Sequence, residues 1–281
     1  MSELNGLLAA ESADRALRAA LGARPFRWYP QIGSTNDAAR AWIADHNSIA
    51  QGAVVISDEQ TAGRGRFARP WHAPPGSALL FSVIIRHNPA QWARLPLLGA
   101  LAVAETLEAL TESPPLIRLK WPNDVQIGGR KVAGILAETE WRGERPFAAV
   151  LGIGLNVRIN FDKTDLAERA TSVEPALNIM VERFTLLASI LQRVDYWAAR
   201  LADPGLIDAW QSRLITIGRV VTARAGEGDS GAETLTGLAF GVDPDGALLI
   251  RDAHNQTHRL AAGEVTLRDS AQASQNSGST A

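Results

Sequence analysis

Gly63-Arg64-Gly65-Arg66-Phe67-Ala68-Arg69-Pro70-Trp71 carries three arginines and two glycines in nine residues. Such a segment suits neither a helix nor a strand interior. Glycine permits positive φ and lets backbone approach a ligand closely. Arginine offers planar, permanently charged forks that match phosphate oxygens. The charge is locally uncompensated: no Asp or Glu occurs from Gln60 to Ala104, whereas Arg64, Arg66, Arg69, Arg86 and Arg94 all do. The segment reads as a mobile, anion-seeking loop. Taken alone, it reads rather as a solvated basic turn.

Composition sets the frame around this loop. A chain of 281 residues holds one large domain and a small one. Its 28 basic and 30 acidic side chains leave a formal charge of −2. That balance gives no global attraction to nucleic acid or anionic membrane, so anion binding must be local. Cysteine is absent, which excludes disulfides, thiolate metal sites and cysteine nucleophiles and fits a reducing compartment. No apolar run reaches the roughly 18 residues of a spanning helix. Acids at Glu3, Glu11 and Asp14 stand where a signal peptide would be basic, so a cytoplasmic location is expected. The five histidines do not pair at metal-ligand spacing, and no Walker loop, His-Glu-x-x-His or Gly-x-Ser-x-Gly is present.

The pattern predicts helices over 7–21, 35–45, 97–110, 181–202 and 205–214, with Gly22 and Pro25 ending the first. Strands are expected over 26–29, 53–57, 78–86, 116–121, 125–127, 131–141 and 147–157. Gly128-Gly129 suits a tight hairpin turn. After Ile217 the texture changes to short strands, 219–224, 233–242, 247–251 and 256–260, split by turns such as Asp243-Pro244-Asp245-Gly246. This predicts a small all-β module over 218–268. Residues 269–281 are Ser/Gln/Asn/Gly-rich, and a disordered tail is expected there.

Three further segments belong with the arginine loop. Ser34-Thr35-Asn36 follows the strand-like Phe26-Arg27-Trp28-Tyr29. Lys120-Trp121-Pro122-Asn123-Asp124-Val125 runs through the glycine turn into Arg130-Lys131-Val132-Ala133-Gly134-Ile135-Leu136-Ala137-Glu138. Val150-Leu151-Gly152-Ile153-Gly154-Leu155-Asn156-Val157 comes next. In this order and at these gaps the set resembles the biotin–protein ligases, from about Phe26 to about Arg268. The resemblance is to the monofunctional type. Only about 25 residues precede the first strand, too few for the N-terminal DNA-binding domain that many repressor-type members carry. It implies an α+β fold: a mixed β-sheet with helices, class II tRNA-synthetase-like, as the catalytic domain over 1–217, followed by an SH3-like β-barrel. It implies a ligase that uses ATP, Mg2+ and biotin to form biotinyl-5′-AMP. The biotinyl group would then pass to a lysine of a biotin carboxyl carrier protein or domain. DNA and membrane are not expected as partners, and a homodimer is left open.

Acyl-adenylate chemistry requires charge neutralisation around the phosphates and the attacking carboxylate, and exclusion of water from a labile anhydride. The resemblance assigns these tasks residue by residue. Lys131 is the first catalytic choice, able to reach both the carboxylate and the α-phosphate from a strand edge. Arg66 and Arg69 match phosphate-contacting positions. Arg64 and Gly65, with Gly63 beside them, match positions lining the biotin carboxylate and ureido end. Ser34, Thr35 and Gln60 match hydrogen-bonding partners of the ureido ring, although Ser34 and Thr35 also suit simple helix capping and Asn36 suits either role. Gly134 leaves space for a flat ring between walls from Ile135 and Leu136. Asp124 could orient or deprotonate the incoming amine, or serve as a turn carboxylate. Asn123 lies beside it near the adenylate, where Lys120 and Trp121 shape the wall. Trp71 either closes the far side of the loop or packs as a surface aromatic. Asn156 matches an asparagine near the phosphates, acting through magnesium. Phe67 and Ala68 stand where the family usually has a basic residue and a glycine.

Two rivals remain. A lipoate–protein ligase shares the fold and the reaction, but the Gly-Arg-Gly-Arg loop and the Lys-Trp-Pro-Asn-Asp segment favour biotin. A non-catalytic nucleic-acid-binding module could use the arginine loop, but the net charge and the lack of aromatic–basic alternation count against it.

Overall fold

The computed structural model describes residues 2–45, 49–86, 88–112, 116–224 and 234–267. Helix α1 (Ser2–Leu21) is followed by β1 (Phe26–Tyr29), α2 (Thr35–Asp45), β2 (Val54–Ser57), β3 (Ala78–Ile85) and α3 (Leu95–Glu108). Strands β4 (Ile117–Lys120), β5 (Asp124–Ile127), β6 (Arg130–Arg142) and β7 (Arg145–Asn156) complete a seven-stranded sheet of order β1-β2-β3-β7-β6-β5-β4. The β1–β2 pair is parallel and the remaining pairs are antiparallel, which makes the sheet mixed, as expected. Gly128 and Gly129 at φ +57° and +81° form the two-residue turn between β5 and β6, the left-handed pair that hairpin twist demands.

Strand alternation sorts the core into two faces. Val54 and Ile56 of β2 join Leu79, Phe81 and Val83 of β3 against α3 and α5 (Arg183–Ala198). Val55 and Ile84 turn the other way, onto Ala39 and Ile43 of α2. Covered on both sides, β3 is buried along its whole length, which is why it reads as an unbroken apolar run. Each large side chain so buried contributes about 1.5–3 kcal/mol. α3 is apolar around most of its circumference because sheet, α5 and α6 (Pro204–Gln211) surround it. α2 covers only part of its face of the sheet. The rest of that face lies open over β7, β6 and β5, and the arginine loop arches across it.

Strands β8 (Arg219–Arg224), β9 (Thr234–Val242), β10 (Leu248–Arg251), β11 (Thr257–Leu260) and β12 (Glu264–Leu267) form a second, antiparallel sheet of order β11-β10-β9-β8-β12. This agrees with the SH3-like expectation. The module is pinned to the larger sheet at Gly246. There the Trp121 indole nitrogen donates to the carbonyl at 3.0 Å, and a Cβ would lie 2.5 Å from Leu97 Cδ2.

β12, the short helix α4 (Val173–Leu177) and the 3-10 turn at Pro89–Arg94 escaped the sequence reading. Each is too short to establish a period. The expected tail over 269–281 lies outside the described residues. Among the described residues no helix is long and apolar enough to cross a membrane.

Candidate active site

A cleft of about 680 Å³ opens between α2, the arginine loop, the open sheet face and β12, within the range of small-molecule sites. Its floor is glycine. Gly134 of β6 and Gly154 of β7 are register partners, and Gly152 lies one face-repeat further on. The Trp71 indole covers the first two: a Cβ on Gly154 would come 2.8 Å from Trp71 Cε2, and one on Gly134 3.1 Å from Cζ3. A Cβ on Gly152 would come 2.3 Å from Asn36 Oδ1. The Gly-Ile-Gly repeat is thus a place where side chains from the opposite wall touch bare backbone. Trp71 is not a surface aromatic. Its indole nitrogen is buried without a hydrogen-bond partner.

Lys131 reaches this floor through a β-bulge. Val125 pairs with Ala133 but Gln126 pairs with Lys131, so β6 carries one extra residue there. Val132 and Ala133 both go into the core, and Lys131 is re-aimed onto the face of Gly134. Its Nζ lies 2.6 Å from Asp124 Oδ1 and 5.5 Å from the centre of the Trp71 ring. The lysine does not stand on a sheet edge, because β6 is flanked by β5 and β7. Its backbone N–H donates to the Arg169 carbonyl at 2.8 Å, and Arg169 also lines the cleft. Beside Asp124, the Asn123 amide donates to the Ile135 carbonyl and holds the β5 entry against β6.

The N-terminus of α2 forms the closed end. Gln60 Oε1 accepts from the Thr35 backbone N–H at 2.7 Å and from its hydroxyl at 2.9 Å. Ser82 Oγ donates to Asn36 Oδ1 at 2.6 Å and lies 2.8 Å from the Thr35 hydroxyl. The Asn36 amide nitrogen donates to Glu138 Oε2 at 2.6 Å. The Arg64 fork grips Asp37 at 2.6 and 2.7 Å and reaches Glu138 at 3.2 Å. The Arg64 bond holds the Asp37 carboxyl below its usual range, and Asp37 in turn raises the guanidinium. Arg64 lines the cleft with its charge already matched.

The loop is tied down at both ends and along its arch. Trp71 N–H donates to the Gly63 carbonyl at 2.8 Å and Gly65 N–H to the Arg69 carbonyl at 2.8 Å. Phe67 and Ala68 have φ of +55° and +52°. Ala68 thus holds a left-handed conformation that glycine adopts freely, at a cost of about 1–2 kcal/mol. Arg66 donates to the Gly263 carbonyl at 3.1 Å, and Arg69 pairs with Glu264 of β12. Burial lowers the Arg66 guanidinium below its usual range.

The cleft brings together Ser34, Thr35, Asn36, Gln60, Arg64, Gly65, Arg66, Arg69, Trp71, Asn123, Asp124, Lys131 and Gly134. Gly63 and Asn156 are not in its lining. Gly63 packs against the Trp71 carbonyl and Gln60 at the loop base. Asn156 is buried and its amide donates to the Thr171 carbonyl at 3.1 Å. Sequence reasoning missed Glu138, Ser82, Arg169 and the Gly263–Thr266 wall. Glu138 and Ser82 sit in strands whose alternation alone could have placed them on the cleft face. Among the described residues no cluster of His, Cys, Asp or Glu suits a metal ion. The basic lining instead fits a polyphosphate that brings its own magnesium, since such ions keep most of their ligands from phosphate and water.

Comparison with known proteins agrees with this fold. Residues 28–156 match the Biotin/lipoate A/B protein ligase family and residues 216–268 the Biotin protein ligase C terminal domain. The biotin–[acetyl-CoA-carboxylase] ligase of Mycobacterium tuberculosis is 36% identical over 261 residues, 90% of this chain and 92% of that one. The bifunctional ligase/repressor BirA of Bacillus spizizenii is 35% identical over 214 residues, and the match spans 63% of its length and 73% of this chain. A biotin protein ligase from Aquifex aeolicus, solved in complex with biotin and ATP, superposes with a TM-score of 0.71 at 28% identity, over 88% of this chain and 99% of that one. With this fold, this cleft and these relatives, the chain belongs to the biotin/lipoate A/B protein ligase family, on its biotin protein ligase branch.

Proposed function

We propose that the chain joins biotin to a lysine of a biotin carboxyl carrier protein or domain in two steps. A carboxylate oxygen of biotin attacks the α-phosphorus of ATP, giving biotinyl-5′-AMP and pyrophosphate. The lysine amine of the carrier then attacks the acyl carbon. The amide forms, AMP leaves, and the amine gives up a proton. The catalytic unit is the 1–217 region, with the 218–268 module supplying one wall.

The observation that carries this reading is the Lys131–Asp124 pair at 2.6 Å, set on a glycine floor under an arginine arch. Lys131 balances charge on the carboxylate and α-phosphate as the P–O bond forms. Arg66 and Arg69 hold phosphate oxygens. Asp124, held by Lys131, orients the incoming amine and accepts its proton. The Thr35, Asn36 and Gln60 groups meet the ureido ring, which has one acceptor and two donors. Trp71 and the loop keep water from the anhydride. Magnesium arrives with the nucleotide and screens its phosphates.

The deciding assay incubates purified chain with ATP, magnesium and either radiolabelled biotin or lipoate, and separates the acyl-adenylates. Biotinyl-AMP with little lipoyl-AMP is expected. Lipoyl-AMP as the main product would move the chain to the other branch of its family.

A further inference from the structure

One carboxylate at the closed end of the cleft has no task in the scheme above. Glu138 lies on β6 with the same outward face as Gly134, and its side chain is 25% exposed. It accepts from the Asn36 amide at 2.6 Å and lies 3.2 Å from Arg64. A carboxylate only accepts hydrogen bonds. It therefore admits one orientation of the Asn36 amide: nitrogen toward Glu138, oxygen toward Ser82. Ser82 accommodates that choice: its hydroxyl, which can donate as well as accept, lies 2.6 Å from Asn36 Oδ1. The amide sits there because Gly152 is bare backbone: a Cβ on it would come 2.3 Å from Oδ1. One amide hydrogen of Asn36 goes to Glu138, and the second is left for the cleft. A flipped amide would present oxygen instead and repel a carbonyl.

From this geometry we infer that Glu138 is a positioning residue for substrate recognition: it fixes the Asn36 amide so that an N–H faces the ureido carbonyl of biotin. The inference rests on the biotin reading of the cleft. Glu138 touches no reacting atom. It acts through Asn36, and its second partner, Arg64, is already held by Asp37 in a two-pronged pair.

The test is a double-mutant cycle read by calorimetric biotin binding and by the KM values of adenylate formation. Glu138→Gln, which can donate as well as accept, should weaken biotin binding about tenfold, the order of one lost charge-assisted hydrogen bond, while the KM for ATP stays within about twofold of wild type. In an Asn36→Ala background the same change should alter biotin affinity by less than about twofold. The preference for biotin over 2-iminobiotin, whose imino group replaces the ureido oxygen, should narrow in Glu138→Gln. A merely structural role would weaken binding equally in both backgrounds and leave the preference unchanged, and either result overturns the inference. Should Glu138→Gln fail to fold, Glu138→Asp keeps the charge but draws it back by one methylene, with the same pattern expected at smaller size. Wild-type protein that binds no biotin would sink the ligase reading itself. Wild-type binding matched by Glu138→Gln would sink only the role of Glu138.

Discussion

Lys131 enters the cleft because a single extra residue on β6 turns it there. Its ion pair with Asp124 is partly exposed, at 35% and 25% for the two side chains, and such pairs add little to stability. Lys131→Ala should therefore fold with a Tm close to wild type yet form adenylate at least about 100-fold more slowly, the usual cost of removing a group that meets transition-state charge. Single-turnover adenylation, alongside a melting curve, checks both halves. A rate within threefold of wild type would strike Lys131 from the catalytic groups. Gly154 tests the floor. Gly154→Ala places a methyl 2.8 Å from the Trp71 ring, so the indole must move, and the KM for biotin should rise several-fold with the fold intact. Identity of most lining residues was legible in the sequence, since glycines, arginines and a lysine announce their chemistry by type. Their aim was not. Nothing in Lys131-Val132-Ala133-Gly134 signals a bulge, and Gly63 and Asn156 matched a motif while packing beside the cleft.

Elements were legible where they are long. β3, α3 and the β6–β7 hairpin fall within two or three residues of their expected bounds. α4 and β12 offered four or five residues each, too few for periodicity to rise above chance. The start of α2 shows what such a reading leaves out. Thr35-Asn36-Asp37 looks like a cap, but its partners come from Gln60, Ser82, Arg64 and Glu138 on other elements. Asp37 gives this junction a pH signature. The Arg64 bond holds its native carboxyl below the usual carboxylate range. The ionised group thus contributes stability above its unfolded value, and the contribution is lost as pH falls through the lower native value. Asp37→Asn should melt below wild type at neutral pH, with the two curves converging in strong acid. Calorimetric scans from pH 7 down to about 2 follow the gap. A gap that widened toward acid would contradict the assigned pairing.

At the scale of the whole molecule, the small module is part of the site. It gives Arg66 a carbonyl, Arg69 a carboxylate, and the cleft a wall from Gly263 to Thr266. Glu264 occupies the arginine that a phosphate would claim. Glu264→Ala should therefore loosen the ligand-free loop and speed tryptic cleavage after Arg64 and Arg66 up to about fivefold, in line with an exposed pair worth at most about 1 kcal/mol. Adenylate formation should restore protection. Cleavage unchanged by the substitution would mean that the Arg69–Glu264 pair does not restrain the arch. The wall also has a timing. Gly263 to Thr266 come later in the chain than every other lining residue, and β12 must fold back to pair with β8 before they reach the cleft. During synthesis, then, the sheet, the glycine floor and the arginine arch can all assemble on the ribosome while one side of the chamber is still open to water. A nascent chain stalled before Glu264 would hold any adenylate in a leaking vessel. Closure of the chamber would wait until β12 has been made and has paired with β8.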